Sequence, residues 1–337
     1  MKKLSFLDKI VFIINSLIAT YLLLSFLLPY ISPKSMPVFA ILSLFAPILL
    51  IVNIIFLIYW ILKLKKQFLL SGSILLLGWF FSSPFYKFSK KEITEKSDIA
   101  IMSYNVRTFN QWKWINKEGV PKKIIEFVSD KNPDVVLFQE YYNLQEYKFN
   151  YPYKYIKTKN KTKKLGLAIY SKYPIINKGS FDFKETSNNI IYADILKNKD
   201  TIRIYNLHLE SLQLKTDKEN FGEESSEKLL ARLKQRFKKQ AEQTTVLLNH
   251  EKNWKGKKVI AGDFNNTAYS WVYKEISSNK QDAFLEAGGG FGKSYNFIFP
   301  MRIDFIFSDD RAIIDGFTTF DVNYSDHYPI LSKISWK

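Results

Sequence analysis

Six short segments of this chain carry side chains that can bind a phosphate, a water or a metal ion. IMSYNV (101–106) holds Asn105, VVLFQE (135–140) ends in Glu140, and IYNLHLE (204–210) holds Asn206 and His208. VIAGDFN (259–265) ends in Asp263 and Asn265. RIDFIF (302–307) has Asp304 inside an apolar run, and YSDHYP (324–329) holds Asp326 and His327. A strand that delivers Asp, Glu, Asn or His from its end can place that group in a shared cleft. Hard oxygen ligands of this kind suit Mg²⁺ or Mn²⁺ rather than a structural zinc. Two histidines among several carboxylates can orient and polarise a phosphate or a water. The chemistry expected from these residues is metal-assisted hydrolysis of a phosphoester.

Taken singly, each residue also has an ordinary structural explanation. Glu140 suits a turn or a helix start, and Asp263 in a Gly-Asp pair suits a turn. Asp304 within RIDFIF must be paired or functional, with Arg302 as the obvious salt-bridge partner. Ser325-Asp326-His327 suits a turn, and His250 on the polar end of a helix is assigned no function. Gly288-Gly289-Gly290 with Gly292 lacks the following Lys and helix of a phosphate cradle, so it reads as a loop. The functional reading rests on the joint occurrence of the six segments.

These residues need strands to carry them, and short β-like runs begin at Asp98. Ile99–Asn105, Val135–Gln139, Leu165–Tyr170, Ile190–Leu196, Ile202–Leu207, Val259–Ala261 and Ile303–Ser308 read as strands. Val120–Ser129 and Glu223–Asn249 read as helices, the second amphipathic. About 239 residues of mixed α and β suit one two-sheet domain.

The first 86 residues differ in kind. Ile10 to Pro33, Ser35 to Leu62 and Gln67 to Tyr86 include long apolar stretches, against the ~20 residues a bilayer-spanning helix needs. The third is the weakest, interrupted by Ser71, Gly72 and Ser73 and closed by Pro84. Three retained spans are expected, with two spans plus a re-entrant or interfacial third as the alternative; the first run is too long for a signal-peptide core. Lys2, Lys3 and Lys9 flank the first run, and Lys63, Lys65 and Lys66 follow the second, whereas the first connection offers only Lys34. The positive-inside rule then puts the amino terminus in the cytoplasm and everything after Tyr86 outside. The expected organisation is a membrane segment at 1–86, a polar linker at 87–97 and a catalytic domain at 98–337.

Composition narrows the function. With 49 Lys+Arg against 32 Asp+Glu the net charge is +17, but 43 of the basic residues are Lys and 6 are Arg. That spread of Lys resembles codon bias more than a nucleic-acid-binding face, which favours the bidentate Arg fork. The absence of cysteine excludes disulfides, thiolate zinc sites and a cysteine nucleophile. A hydrophobic share of 47% excludes a disordered tail.

The Asn of IMSYNV, the QE pair, GDFN, the R-I-D-aromatic segment and the terminal SDH, in this order, resemble the endonuclease/exonuclease/phosphatase superfamily. The resemblance covers about Asp98 to Lys337. It implies a four-layered α/β sandwich, with two mostly antiparallel sheets face to face and helices outside. It also implies Glu140 as the principal Mg²⁺ ligand, with Asn105 at the same metal and Asp326 as a second acidic position near it. Asp263 and Asn265 match the pair that positions the attacking water and contacts the phosphate. His327 matches a general base or phosphate hydrogen-bond donor, Asp304 the carboxylate that fixes its tautomer, and His208 the histidine of the deoxyribonuclease and sphingomyelinase branches. The expected substrate is a phosphodiester, a nucleic acid or a phospholipid head group, with the family slightly favouring a nuclease; the alternative is a lipid phosphodiesterase or phosphatase similar to the sphingomyelinases or inositol phosphatases. A lipid enzyme would expose apolar residues beside the cleft, with Phe291, Phe297 and Phe299 as candidates. A non-catalytic receptor retaining the fold is the remaining alternative.

Overall fold

The computed structural model describes residues 4–81, 83–92, 97–144, 146–159, 164–213 and 225–336. Part of the expected linker (93–96) and the first two residues of the expected helix at 223–249 lie outside them.

The strands run β1 (Ile99–Asn105), β2 (Val135–Tyr142), β3 (Tyr153–Thr158), β4 (Leu165–Ser171), β5 (Ile175–Ser180) and β6 (Asn189–Lys197), then β7 (Asp200–His208), β8 (Lys257–Asp263), β9 (Lys280–Asp282), β10 (Asp304–Asp309), β11 (Ala312–Thr319) and β12 (Ile330–Trp336). They form two six-stranded sheets, ordered β11-β12-β1-β2-β4-β3 and β5-β6-β7-β8-β10-β9. Neighbours are antiparallel except for one parallel pair in each sheet, β1 with β2 and β7 with β8. Each parallel pair needs a crossover, as parallel strands cannot be joined by a hairpin. Helix α5 (Val120–Lys131) supplies the first and α6 (Ser226–Glu251) the second.

Ile101, Val135, Leu137 and Ile169 of one sheet meet Ile191, Ile204, Val259 and Ile306 of the other in a buried inner layer. On the outer face of the first sheet, α5 places Val120, Ile124 and Val128 at four-residue spacing against Met102, Val136 and Phe138. On the outer face of the second, Leu247 of α6 and Val272 and Ile276 of α7 (Trp271–Ser277) cover Tyr205, Ile260 and Phe305. The result is the expected four layers.

The amino-terminal segment forms α1 (Phe6–Ser25), α2 (Pro37–Leu42), α3 (Ala46–Leu62) and α4 (Phe68–Phe81). Residues 6–30 and 37–62 are two helical runs long and apolar enough to cross a membrane, and a 3₁₀ turn at Ser43–Phe45 kinks the second. Helix α4 has 14 residues, about 21 Å at 1.5 Å rise, short of the ~30 Å hydrocarbon thickness. Buried polar contacts bind the helices together: Asn15 Nδ2 donates to Ser71 Oγ (2.8 Å), and Trp60 Nε1 donates to Asn15 Oδ1 (2.9 Å). Where lipid offers no competing donors, such bonds hold helices in register.

One end of this bundle rests on the α/β body. Ala40, Ile41 and Leu44 pack with Leu212, Leu233 and Phe237, and Tyr269 enters the cluster of Ala19, Leu22 and Ala46. Lys34 donates to Thr245 Oγ1 (2.8 Å), and Phe85 and Tyr86 pack edge-to-face against Phe291. The opposite end carries the Asp8–Lys63 ion pair (2.6 Å).

Candidate catalytic cleft

Strand register alone brings three of the predicted residues into one row. His208 pairs with Asp263 across β7–β8, and Asp263 pairs with Asp304 across β8–β10. Lateral neighbours in a sheet lie about 4.8 Å apart and share a face, so the three side chains converge. The other sheet supplies Asn105, which sits at the end of β1 and donates from Nδ2 to Asp263 Oδ2 (3.0 Å). Beneath the row a polar clamp ties the sheets: Gln139 Nε2 donates to Asn206 Oδ1 (2.7 Å), and Asn206 Nδ2 donates to the carbonyls of Phe138 and Ala168. Asn206 is thus a structural strut under the cleft.

Glu140 reaches the same place through an irregularity. The β2–β4 register shifts between Phe138 and Tyr141, and Glu140 has φ of 49°. A bulge of this kind re-aims one side chain, and a positive φ at a non-glycine residue costs about 1–3 kcal/mol. Here it turns the carboxylate inward, with Oε1 3.4 Å from Asn105 Nδ2 and 3.8 Å from His208 Nε2.

His327 is buried beside Asp304, with Nδ1 2.9 Å from Asp304 Oδ2 and Nε2 3.7 Å from Asp263 Oδ2. Ser294 Oγ accepts from the amides of Ile303 and Asp304, fixing the start of β10. The alternative Arg302–Asp304 salt bridge is not formed: Arg302 turns away to Asp282 (2.6 Å). That leaves the Asp304 carboxylate to the imidazole. Asp263, Asp304 and His327 offer ligand atoms within 4.8 Å of one another.

Electrostatics assign protonation states. Burial alone would depress His327, but Asp304 and Asp263 outweigh it and hold the imidazole up to about 10. Burial pushes the Asp263 carboxyl up, opposed by His327. Burial pushes His208 down, which keeps it neutral near pH 7, and its Nε2 is buried without a hydrogen-bond partner. Glu140 is raised by burial and then by the like charge of Asp326.

Glu140, with the like charge of Asp326 beside it, forms an oxygen-rich site suited to a divalent cation. Asn105 qualifies this set. Its amide nitrogen faces Glu140 and Asp263, and its Oδ1 accepts from the Arg107 amide (3.1 Å), so metal ligation requires the carboxamide to turn. Asn265, also at positive φ, donates from Nδ2 to the Leu209 carbonyl (2.9 Å), and its amide donates to Asp263 Oδ1 (2.7 Å). It holds Asp263 in place as well as lining the cleft.

Two site residues gave no sequence signal. Arg107 pairs with Asp326 (3.1 Å) and lies over the Trp114 ring; it opens a run of positive φ angles from 107 to 110 that no local pattern announces. Tyr295 packs against His327 with tilted rings whose centroids are 4.9 Å apart, from an irregular segment. Phe297 and Phe299 line the cleft as expected, whereas Phe291 lies against Phe85 and Tyr86 and is not part of it. His250 accepts or donates at Tyr205 (2.9 Å) under a ring cluster, remote from the cleft.

A profile of the endonuclease/exonuclease/phosphatase family matches residues 102–327, and a domain of unknown function matches residues 8–85. No curated protein matches the chain in sequence. Among solved structures, an endonuclease/exonuclease/phosphatase family protein from Leptotrichia buccalis is 18% identical, covering 71% of this chain and 100% of its own, with a TM-score of 0.51. A mannosyl-6-phosphatase from Bacteroides thetaiotaomicron is 16% identical over 71% and 100% of the two chains, TM-score 0.54. The catalytic domain of human Nocturnin with bound sulfate is 16% identical over 73% and 98%, TM-score 0.53. At these identities the likeness is one of fold.

Proposed function

Because the chain belongs to the endonuclease/exonuclease/phosphatase family, we propose that its cleft hydrolyses a phosphodiester with water as the nucleophile and Mg²⁺ or Mn²⁺ as cofactor, on a domain held at a membrane. The observation that carries this reading is the His208–Asp263–Asp304 row closed by His327 and faced by Glu140. Glu140 and Asp326, with Asn105 through its carboxamide oxygen, would hold the cation, which supplies charge neutralisation at the phosphate oxygens.

The chain's own residues divide the remaining work. His327, raised by its two carboxylates, enters as an imidazolium and donates from Nε2 to a phosphate oxygen. That departs from the expected alternative of His327 as base. Asp263, whose proton affinity burial increases, takes the proton from water. Asp304 fixes the His327 ring by its Nδ1 bond. Neutral His208 donates its unpartnered Nε2 where negative charge accumulates, while Asn265 fixes Asp263.

Membrane attachment through the amino-terminal helices is supported by the two apolar runs; placement of the catalytic domain outside the cytoplasm needs α4 as a third crossing. Support also comes from the separation of the Asp8–Lys63 end of the bundle from the end that meets the α/β body. The test is hydrolysis of bis-p-nitrophenyl phosphate and of plasmid DNA by the purified full chain. Turnover of either that is abolished by EDTA and restored by added Mg²⁺ or Mn²⁺ is expected. Turnover unaffected by EDTA would refute the metal role, and none under any condition would refute the enzyme.

A further inference from the structure

The cleft that holds Glu140, Asp326 and His327 does not stop at the α/β body. It is a single groove of about 340 Å³ whose far wall is made of Ile41, Leu44, Phe45 and Ile48 from the apolar run 37–62. Its floor includes Leu212, Leu233 and Met301, and Phe297 and Phe299 form the rim. Among the described residues no Lys or Arg lines it, in a chain with 49 of them. A groove that tracks a nucleic-acid backbone is lined with cations, so this lining argues against a polyanion. Glu140 also borders a second cleft of about 620 Å³ that is polar, with Lys157, Lys159 and Lys184 among acidic and amide groups. The reacting centre therefore stands at a boundary between an apolar groove and a polar one.

A phosphoester bonded at that boundary has a hydrocarbon part on one side and a polar part on the other. Phe45 and Ile48 remain 50% and 37% exposed, so the groove wall is also the surface that a bilayer would touch. From the continuity of the groove with the reacting residues at one end and the apolar helices at the other, we infer that it seats the hydrocarbon chain of a lipid phosphoester. The amino-terminal helices are then part of the substrate site as well as an attachment. This rests on the phosphoesterase reading and specifies its substrate.

The test uses the full chain in lipid nanodiscs and a series of p-nitrophenyl phosphodiesters bearing methyl, butyl or decyl groups. Water oxygen bonds to phosphorus, the aryl P–O bond breaks and p-nitrophenolate leaves; one of the water's protons passes through Asp263 to solvent and the other stays on the alkyl phosphate. Each methylene buried in the groove raises kcat/KM by up to about fourfold. The expected result is a rise of at least tenfold from methyl to decyl. Partition into the disc enriches the decyl ester for every variant alike, so the decyl-to-methyl ratio in Ile48→Trp and Ile41→Trp isolates the groove. That ratio should fall at least tenfold in either. A flat series in the wild type, or the same ratio in wild type and both variants, overturns the inference. Cleavage of the methyl ester with a flat series leaves the phosphoesterase standing and removes only the lipid substrate. No cleavage of any ester takes both down.

Discussion

His327 stands between two buried carboxylates, and this arrangement makes its charge part of the fold as well as of the chemistry. Its folded pKa, raised to about 10, exceeds the ~6.5 of an unfolded histidine. The sign follows from linkage. The imidazolium's contribution is complete below about pH 6.5 and is lost as pH rises through 10. In EDTA, the unfolding midpoint of the wild type should exceed that of His327→Gln most at pH 6, with the gap narrowing steadily to pH 10. A gap independent of pH would mean that His327 is not held as a cation. The same substitution should lower turnover at least ~100-fold, the scale of a lost acid–base or charge-stabilising group. At this scale the sequence was informative wherever a polar residue interrupted an apolar run, as at Asp304. It was silent on Arg107 and Tyr295, whose positions depend on backbone turns between elements. The alternative of Arg302 as a mere salt-bridge partner of Asp304 falls away, because Arg302 pairs with Asp282 and Asp304 with His327.

Elements place these residues only if β7, β8 and β10 keep register, and Gly262 is the point where that register is most exposed to change. Its φ of +142° is unfavourable for a side chain, and a Cβ there would lie 2.1 Å from the Leu207 carbonyl oxygen. That oxygen belongs to the neighbouring strand's backbone and cannot step aside without moving His208. Gly262→Ala is expected to cost at least about 2 kcal/mol, read as a lower thermal midpoint, and to reduce turnover through displaced Asp263 and His208. A variant as stable and active as the wild type would show that the row tolerates a shift. The Gly-Asp pair therefore does not mark a turn; the glycine lets two strands close together beneath the carboxylate. The seven strands expected from sequence are present because their apolar runs fill the inner layer. Five strands were left unpredicted: β12 although its Ile330 and Ile334 fill the same inner layer, the three-residue β9, and three of other kinds. β3 (YKYIKT) and β5 (IINKGS) are largely solvent-facing edges, where packing does not dictate composition. β11 is broken by a register shift between Ile314 and Gly316, which disrupts the alternation on which strand recognition depends.

For the molecule as a whole, the sidedness of the membrane decides which substrates can arrive. The Asp8–Lys63 pair marks one end of the helical bundle, while Lys34 and the Phe85–Tyr86 pair meet the α/β body at the other. If the bundle crosses the bilayer, its lysine-rich connection and its catalytic body face opposite sides, and the positive-inside rule assigns the lysines to the cytoplasm. Helix α4 must then complete the third crossing despite its short regular core, by thinning the bilayer locally or by extending through its flanking residues. The chain's lack of cysteine makes this directly measurable. Lys199→Cys lies at the exposed β6–β7 hairpin and Lys66→Cys at the exposed α3–α4 connection. In intact bacterial spheroplasts expressing each variant, a membrane-impermeant maleimide should label Lys199→Cys, and should label Lys66→Cys only after lysis. Labelling of both from outside would mean that the bundle does not separate two compartments. The reverse pattern would put the cleft in the cytoplasm and restrict the lipid phosphoesters it meets to those of the inner surface.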